Sequence, residues 1–330
     1  MLEHGGRLRQ AAAHYNIPLA DWLDLSTGIN PESWPVPALP ASVWQRLPET
    51  DDGLEAAAAT YFCNPNLLPV AGSQAAIQVL PSVLPRAVVA CISPIYAEHP
   101  QAWQRAGHRL RFLQNAMLPR ALSVATPYVL LCNPNNPTAE HHPHDVAVDA
   151  AKQLKKRGGW LIIDEAFMDP TPAESLAPLA GTDEAPNLIV LRSLGKFFGL
   201  AGARVGFVLA APDILSKMAE IIGPWSISGP ARAVARLVLA DQAWQSAMRP
   251  RLQASGERLH ALLQPLGEVK STALFATLTL AETTELHEFL AQRGILVRRF
   301  DQQPLLRFGL PGNEAHWQRL GAALNDWNSK

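Results

Sequence analysis

The chain has few cysteines. Its 330 residues include three, Cys63, Cys91 and Cys132, which are far apart and form no CxxC pair. An odd number of scattered cysteines argues against a disulfide framework, and the spacing is unlike that of a zinc or redox motif. We therefore expect neither structural disulfides nor a bound metal.

Strong charge and long apolar runs are also absent. The formal net charge of −1 gives no electrostatic reason to expect a nucleic acid or a membrane surface as partner. No apolar run approaches membrane-spanning length, and the opening MLEHGGRLRQ lacks the apolar core of a signal peptide. The expectation is a cytoplasmic protein without nucleic-acid or membrane partners.

What the chain does contain is an alternating α/β pattern. Hydrophobic residues make up 48% and charged residues 17%, as in compact globular proteins. Short apolar runs predict strands at Ala87–Ser93, Tyr128–Cys132, Trp160–Asp164, Leu188–Leu191 and Arg204–Leu209. Helical periodicity lies between several of them, at Gln74–Leu84 and His144–Arg157. This alternation predicts an α/β fold with a mostly parallel central sheet covered by helices.

The pattern changes after Pro212. Long helical stretches follow, with strands expected near Ala273–Leu280 and Ile295–Arg298. We therefore predict an N-terminal segment over residues 1–30 that contributes to the active site and the small domain. A large domain follows over 31–215, and a smaller C-terminal α+β domain over 216–330.

Lys196 is the first candidate for chemistry. It is a lone lysine in the glycine-punctuated, largely apolar segment Arg192-Ser193-Leu194-Gly195-Lys196-Phe197-Phe198-Gly199. Burial of a lysine disfavours its charged form and makes the amine nucleophilic, as Schiff-base formation with an aldehyde cofactor requires. The alternative is a surface lysine whose stem packs on apolar neighbours.

Asp164 is the second candidate. It ends the apolar run Trp160–Asp164 and is followed by Glu165. A carboxylate at the end of a buried strand needs a cation, and the protonated pyridine nitrogen of pyridoxal 5'-phosphate (PLP) would supply one. A helix N-cap or a metal-binding aspartate remains the alternative.

Further polar residues follow other predicted strands. Asn136 lies in Asn133-Pro134-Asn135-Asn136-Pro137-Thr138, which is either a rigid turn or a hydrogen-bond donor to the cofactor's phenolic oxygen. A phosphate site is predicted from a glycine and polar side chains before a helix, a serine near Lys196 and an arginine eight residues beyond it: Gly72, Ser73, Gln74, Ser193 and Arg204. Ordinary helix capping would also explain the Gly-Ser pair.

Taken in order, these motifs resemble the fold-type I PLP enzymes, the aspartate aminotransferase superfamily, over nearly the whole chain. The resemblance rests on Asn-Asn-Pro-Thr, Asp-Glu-Ala-Phe and Ser-Leu-Gly-Lys with Gly202-Ala203-Arg204-Val205-Gly206. It implies PLP bound covalently to Lys196, with Asp164 at the ring nitrogen, Asn136 at the phenolic oxygen and Tyr96 stacked on the ring.

Within the superfamily the chain is most similar to threonine-phosphate decarboxylases and histidinol-phosphate aminotransferases. His4-Gly5-Gly6, Leu25–Pro31 and Pro224-Trp225-Ser226 resemble the decarboxylases, as does Phe167 where aminotransferases carry a tyrosine. The implied reaction converts L-threonine O-3-phosphate to (R)-1-amino-2-propanol O-2-phosphate for cobalamin biosynthesis. Transamination of histidinol phosphate or a related amino acid is the alternative, and a non-catalytic scaffold in cobalamin assembly is a third.

The resemblance also implies substrate-binding residues and a homodimer. The candidates for binding the phosphate and carboxylate of a small phosphorylated amino acid are His4, Asn30, Arg298 and Arg307. His4 is alternatively a terminal residue without a role, and Arg298 a surface charge. One departure is Leu47, since Arg46-Leu47-Pro48 replaces an Arg-Tyr-Pro whose tyrosine contacts the neighbouring subunit's cofactor in the aminotransferases.

Overall fold

The computed structural model describes residues 4–123, 126–301 and 303–329. The α-helices within these ranges are α1 (Leu8–Tyr15), α2 (Ser42–Gln45), α3 (Leu54–Phe62), α4 (Gly72–Val83), α5 (Glu98–Arg105), α6 (Leu118–Ser123), α7 (His144–Lys155), α8 (Pro212–Ile222), α9 (Gly229–Ala240), α10 (Gln242–Leu263), α11 (Thr283–Ala291) and α12 (Glu314–Asn328). The strands are β1 (Leu23–Asp24), β2 (Leu67–Val70), β3 (Val88–Ser93), β4 (Arg109–Gln114), β5 (Tyr128–Cys132), β6 (Trp160–Asp164), β7 (Leu188–Ser193), β8 (Gly206–Leu209), β9 (Glu268–Ser271), β10 (Phe275–Thr279), β11 (Ile295–Leu296), β12 (Arg298–Phe300) and β13 (Leu305–Gly309). No helix within these ranges combines the length and the apolar character needed to cross a bilayer.

The described residues form two compact units. The larger unit covers 34–136 and 140–246, and the smaller covers the described parts of 1–33, 137–139 and 247–330. The predicted large domain ended at residue 215, whereas the larger unit continues to residue 246. The reason is packing: Ile214 and Met218 of α8 belong to the sheet's core. In addition, Arg232 of α9 donates to Asp52 and Glu55 at the start of α3.

The larger unit contains a seven-stranded sheet in the order β2-β8-β7-β6-β5-β3-β4. The pairs from β4 through β7 are all parallel, and β8 runs antiparallel to both of its neighbours. The prediction of an α/β fold with a mostly parallel sheet is therefore confirmed.

Both faces of the sheet are buried at the inner strands β3 and β5 to β8, which explains why these strands are continuously apolar in sequence. Side chains alternate between faces along a strand. One face, with Cys91, Leu130, Cys132, Ile162 and Leu191, forms a single core with α4, α5 and α8. Since Asp164 is two residues beyond Ile162 and Ser193 two beyond Leu191, alternation directs both toward this same face.

The smaller unit is built on an antiparallel sheet in the order β12-β13-β10-β9. The central strand β13 is buried along its whole length, and Arg307 lies in it. A short parallel pair joins β1 to β11 through Leu23 and Ile295. This unit therefore holds its polar residues within and beside paired strands.

Several sequence predictions of secondary structure were incomplete. The strand predicted from Arg204 begins at Gly206, because Arg204 has a left-handed φ of 53°. Strands β1, β2, β4, β9 and β13 were not predicted. β2 contains a proline and β4 is a largely exposed edge strand, so neither shows the apolar run of a buried strand. The proline-rich stretch 31–48 also contains the short helix α2.

Candidate active site

The carboxylate of Asp164 lies at the carboxyl end of β6, the central strand of the seven-stranded sheet. It is 5% exposed. One oxygen, Oδ1, accepts the backbone N–H of Ala166 at 2.9 Å, and the other, Oδ2, is 2.8 Å from Nε2 of His99. Because a carboxylate accepts, the Nε2–H of His99 is the donor. The buried carboxylate is thus held in one orientation from both sides.

Cys132 lies next to Asp164 across the sheet and joins two loops. Its Cα pairs with that of Asp164 in the β5–β6 register. The backbone N–H groups of Tyr96 and Asn136 are directed at its sulfur closely enough to oppose the rise in its pKa. Burial, and then the nearby Asp164, raise the pKa of the Cys132 thiol well above its usual value. His99, Cys132 and Asp164 have ligand atoms within 4.8 Å, but a neutral thiol and a closed His–Asp hydrogen bond fit a hydrogen-bonded cluster rather than a metal site.

The two residues predicted at the cofactor ring and its phenolic oxygen, Tyr96 and Asn136, are therefore brought together through one sulfur atom. A second bond joins the same loops, since Nδ2 of Asn135 donates to the carbonyl of Pro94 at 2.8 Å. The aromatic ring and the amide are thus carried on loops fixed to each other. That is what a rigid planar cofactor requires of the groups around it.

Lys196 follows β7 and is half-buried. Its Nζ lies 5.3 Å from the centroid of the Phe167 ring. Because Phe167 is three residues beyond Asp164, the amine and the carboxylate belong to the same region of the larger unit. An amine that is half-buried over an aromatic face suits a nucleophile that must lose its proton.

The predicted phosphate residues converge at the start of α4. A Cβ added to Gly72 would lie 2.7 Å from a guanidinium nitrogen of Arg204. One added to Gly206 would lie 2.5 Å from the backbone nitrogen of Ser73. Glycine is needed at Gly72 because a side chain would collide with the Arg204 guanidinium, and at Gly206 because one would collide with the backbone of Ser73 and Arg192. The N–H groups of a helix start and a guanidinium form a fitting cradle for a phosphate.

Ser193 and Gln74, the other predicted phosphate residues, have partners in the structure. The Ser193 hydroxyl accepts the N–H of Gly195 at 3.2 Å, in the turn that leads to Lys196. The Gln74 side chain donates instead to the buried Glu98 at 2.7 Å. A role for Gln74 at the phosphate therefore rests on its backbone N–H and not on its side chain.

In the smaller unit, Arg307 is 8% exposed and its guanidinium donates to the carbonyl of Ser26 at 2.9 Å. The Ser26 hydroxyl in turn accepts the N–H of Gly6 at 2.8 Å. The N-terminal segment that carries His4 is thus connected to Arg307 through a single serine. Sequence separation concealed this connection entirely.

The remaining predicted substrate residues also belong to the smaller unit. Arg298 pairs with Arg307 in the β12–β13 register, and its guanidinium lies 5.2 Å from the ring centroid of Phe300. Asn30 is buried, and its side-chain oxygen accepts the N–H of Glu32 at 2.9 Å. Arg299, by contrast, points to Asp301 on the surface.

Sequence reasoning missed His99 and Glu98. His99 is 1% exposed and contacts Asp164, while Glu98 accepts from both Gln74 and Gln78. The signal was spacing: His99 is three residues after Tyr96, so one helical turn places both near the same site. Neither could be assigned without knowing that α5 packs against α4.

Comparisons with known proteins agree with this geometry. The family model described as aminotransferase class I and II matches residues 37–324. The chain belongs to this family. The predicted resemblance to fold-type I PLP enzymes is thereby confirmed, and PLP is the family's cofactor.

Two curated relatives of this family member are threonine-phosphate decarboxylases. The protein from Pseudomonas aeruginosa is 51% identical, over 98% of this chain and 97% of the relative. The protein from a Sinorhizobium species is 40% identical, over 97% of each chain. Among solved structures, histidinol-phosphate aminotransferase from Sinorhizobium meliloti, in complex with pyridoxal-5'-phosphate, has a TM-score of 0.81 at 20% identity, covering 98% of this chain and 95% of that one.

The residues present fit PLP. At Gly72 the lack of a side chain lets the Arg204 guanidinium approach the start of α4, where a phosphate would be held. The buried Asp164 carboxylate, held by His99 and the N–H of Ala166, suits a protonated ring nitrogen. Lys196 offers the amine that an aldehyde requires. The residues predicted to contact the cofactor lie in the larger unit, and their individual contacts with PLP stay predictions.

Proposed function

We propose that this protein decarboxylates L-threonine O-3-phosphate to (R)-1-amino-2-propanol O-2-phosphate, a step of cobalamin biosynthesis. The observation that carries the proposal is 51% identity to a threonine-phosphate decarboxylase over 98% of the chain. It is supported by the fit of the larger unit to PLP and by two arginines paired in the β12–β13 register of the smaller unit.

PLP, when bound, supplies an electron sink for the pair released from a breaking Cα bond. The chain's own residues prepare that sink. Lys196 binds the cofactor covalently, and Asp164 keeps the proton on the pyridine nitrogen. His99 holds the Asp164 carboxylate through its 2.8 Å hydrogen bond. The Asn136 amide donates to the phenolic oxygen.

The choice of bond depends on how the substrate is anchored. Anchoring both ends of a small substrate would fix which Cα bond is presented for cleavage. We propose that Arg307 binds the carboxylate, and that His4, Asn30 and Arg298 bind the carboxylate or phosphate. With the substrate held in this way, loss of CO₂ would leave an electron pair at Cα. The Lys196 amine, once the substrate amine had displaced it from the cofactor, would be the group that returns a proton to Cα.

Transamination is the second candidate, because a histidinol-phosphate aminotransferase shares the fold with a TM-score of 0.81. The two reactions differ in products. Holoenzyme incubated with threonine O-3-phosphate, without a keto acid, is expected to release one CO₂ per substrate consumed. The Lys196→Ala protein is the matched negative control. Turnover that requires a keto acid and releases no CO₂ would reject the decarboxylase.

We also propose a homodimer, as predicted from the resemblance. Exposed apolar side chains support it: Trp44 is 69%, Leu47 63% and Trp225 60% exposed. They lie on adjacent segments, since a Cβ on Gly229 at the start of α9 would be 2.3 Å from the carbonyl oxygen of Val43. Such a surface is typical of a protein interface. Light scattering at micromolar concentration, which measures molecular mass in solution, tests the proposed homodimer.

The cytoplasmic location expected from the sequence likewise remains a prediction.

A further inference from the structure

A buried ion cluster adjoins the catalytic strands. Arg192 of β7 donates to Glu165 at 2.7 Å and also to Asp169. Arg192 and Asp169 are each 2% exposed and Glu165 is fully buried. The arginine therefore uses both arms of its planar guanidinium to join two carboxylates that have no access to solvent.

The position of this cluster relates it to the site. Glu165 directly follows Asp164, and Arg192 directly precedes Ser193, in the segment that leads to Lys196. Strand alternation directs Arg192 to the face opposite that of Ser193. The backbone N–H of Glu165 also donates to the carbonyl of Leu191 at 2.9 Å. The cluster thus joins the ends of β6 and β7 from behind the residues proposed to contact the cofactor.

Other donors complete the cluster. The Ser175 hydroxyl donates to one Glu165 oxygen at 2.5 Å, and the backbone N–H of Leu176 to the other at 2.8 Å. Tyr61 of α3 donates to Asp169 at 2.8 Å. Burial by itself would lower the pKa of Arg192, but Asp169 and Glu165 outweigh it and raise that pKa above its usual value. The guanidinium is therefore permanently charged.

A buried pair of this kind adds little stability compared with a well-packed apolar core. What it offers is geometry, because a planar guanidinium donates hydrogen bonds to carboxylates in fixed directions. We propose that Arg192 is a positioning residue, which sets Asp164 and Lys196 relative to each other through its bonds to Glu165 and Asp169.

The test uses holoenzyme and the substitution Arg192→Lys. Lysine retains the positive charge, so the carboxylates stay compensated and the fold is retained, but an ammonium cannot hold both with fork geometry. The readouts are the dissociation constant of PLP and the pH midpoint of the bound cofactor's visible absorbance. We expect a shifted pH midpoint and weaker PLP binding. We also expect kcat to fall on the order of 100-fold, because misplacement of catalytic groups by about 1 Å has an effect of that size.

A matched control exists in the same unit. Arg232 of α9 is 7% exposed at its side chain and binds two carboxylates, Asp52 and Glu55, but joins α9 to the start of α3 instead of the strand ends. Arg232→Lys is expected to change the melting temperature without moving the absorbance midpoint. Equal effects of the two substitutions on the midpoint would overturn the proposal.

A second variant separates geometry from charge. The triple substitution Arg192→Met, Glu165→Gln and Asp169→Asn removes all three charges, so no uncompensated ion is buried. We expect it to fold and to show the same shifted midpoint as Arg192→Lys. If it folds with a midpoint and PLP affinity like those of the wild type, the proposal is wrong. Failure of both variants to fold would mean that the cluster is purely structural, and would also overturn it.

This inference rests on the proposed covalent role of Lys196, which is tested first and separately. Borohydride reduction of the wild-type holoenzyme, followed by peptide mapping, is expected to label Lys196. Absence of that label would refute the proposed role of Lys196. A correct label combined with an unmoved midpoint in Arg192→Lys would overturn only the role of Arg192.

Discussion

The two compact units hold their functional side chains in different ways. In the larger unit, Asp164 and Ser193 end neighbouring strands of a sheet, and buried partners such as His99 fix them. In the smaller unit, Arg298 and Arg307 lie within an antiparallel pair, against aromatic rings. The first arrangement suits side chains that control the charge on a cofactor, because such side chains must be placed accurately. The second suits side chains that bind the charged groups of a substrate. Substitutions in the larger unit should therefore change kcat, and those in the smaller unit KM.

The largest expected effect is that of Lys196→Ala. Loss of the covalent amine should reduce kcat by at least about 10⁴-fold, as loss of a nucleophile does in other enzymes. Stopped CO₂ release and absorbance of the bound cofactor measure it. Lys217→Ala, at a half-exposed lysine of α8 paired with Asp213, is the control and should be fully active. A fully active Lys196→Ala protein would end the catalytic assignment.

Asp164→Asn should have the next largest effect. Removing the charge opposite the pyridine nitrogen should lower kcat on the order of 10²–10³-fold, the cost of losing one preorganised electrostatic group. KM for threonine O-3-phosphate should change little. Steady-state kinetics with saturating PLP measures both constants. A rise in KM with kcat intact would contradict the division between units.

Arg307→Lys tests the smaller unit. Lysine cannot offer the two parallel donors with which an arginine can hold a carboxylate. The substitution should therefore lower kcat/KM about 100-fold, because weakening a buried charged pair costs about 2–5 kcal/mol. The loss should appear mainly in KM, while PLP binding and the cofactor spectrum stay unchanged. Arg299→Lys is the matched control, since Arg299 lies on the neighbouring strand but pairs with surface Asp301. A change in the cofactor spectrum of Arg307→Lys would show that substrate binding by the smaller unit and the state of the cofactor are not independent.

The pH dependence of stability probes both units with one histidine in each. Burial lowers the pKa of His142 in the larger unit, and burial followed by Arg299 lowers that of His287 in the smaller. Both are neutral when folded, whereas the unfolded imidazoles take up protons as pH falls through about 6.5. Their stabilising contribution is thus present above that pH and lost below it.

We therefore expect the melting temperature to fall by a few degrees between neutral and mildly acidic pH. His142→Gln and His287→Gln should each reduce that slope, which calorimetry across the pH range measures. If His142→Gln alone flattened it, acid sensitivity would belong to the larger unit.

Thiol labelling gives the smallest signal, and it reports on the larger unit alone, since all three cysteines lie there. Cys63 is exposed, whereas burial raises the pKa of Cys91 to about 12 and that of Cys132 well above its usual value. One fast-reacting thiol at mildly alkaline pH is expected, with the other two reacting on unfolding. Rapid labelling of Cys132 would show that the cluster at Asp164 opens in the native state.

The sequence predicted the larger unit well and the smaller one poorly, for a physical reason. Buried parallel strands such as Tyr128–Cys132 and Trp160–Asp164 are continuous apolar runs, and their bounds were predicted as observed. β13 was missed because Arg307 interrupts its apolar run, and its burial depends on tertiary pairing. His99 and Arg192 were not assigned their roles, because each acts through a partner from another element. Hydrophobic periodicity predicts which side chains face the core, but it does not predict which polar side chains from different elements contact each other.

Arg204 has a left-handed backbone with φ of 53°, which costs a residue other than glycine about 1–2 kcal/mol. At this position the backbone conformation favours glycine, whereas binding of the cofactor phosphate favours arginine. A glycine there would relax the chain and raise its thermal resistance, yet would leave the cradle at Gly72 without its guanidinium. Selecting variants by melting temperature alone would therefore favour proteins that bind PLP weakly. Such selections should be carried out at a limiting PLP concentration.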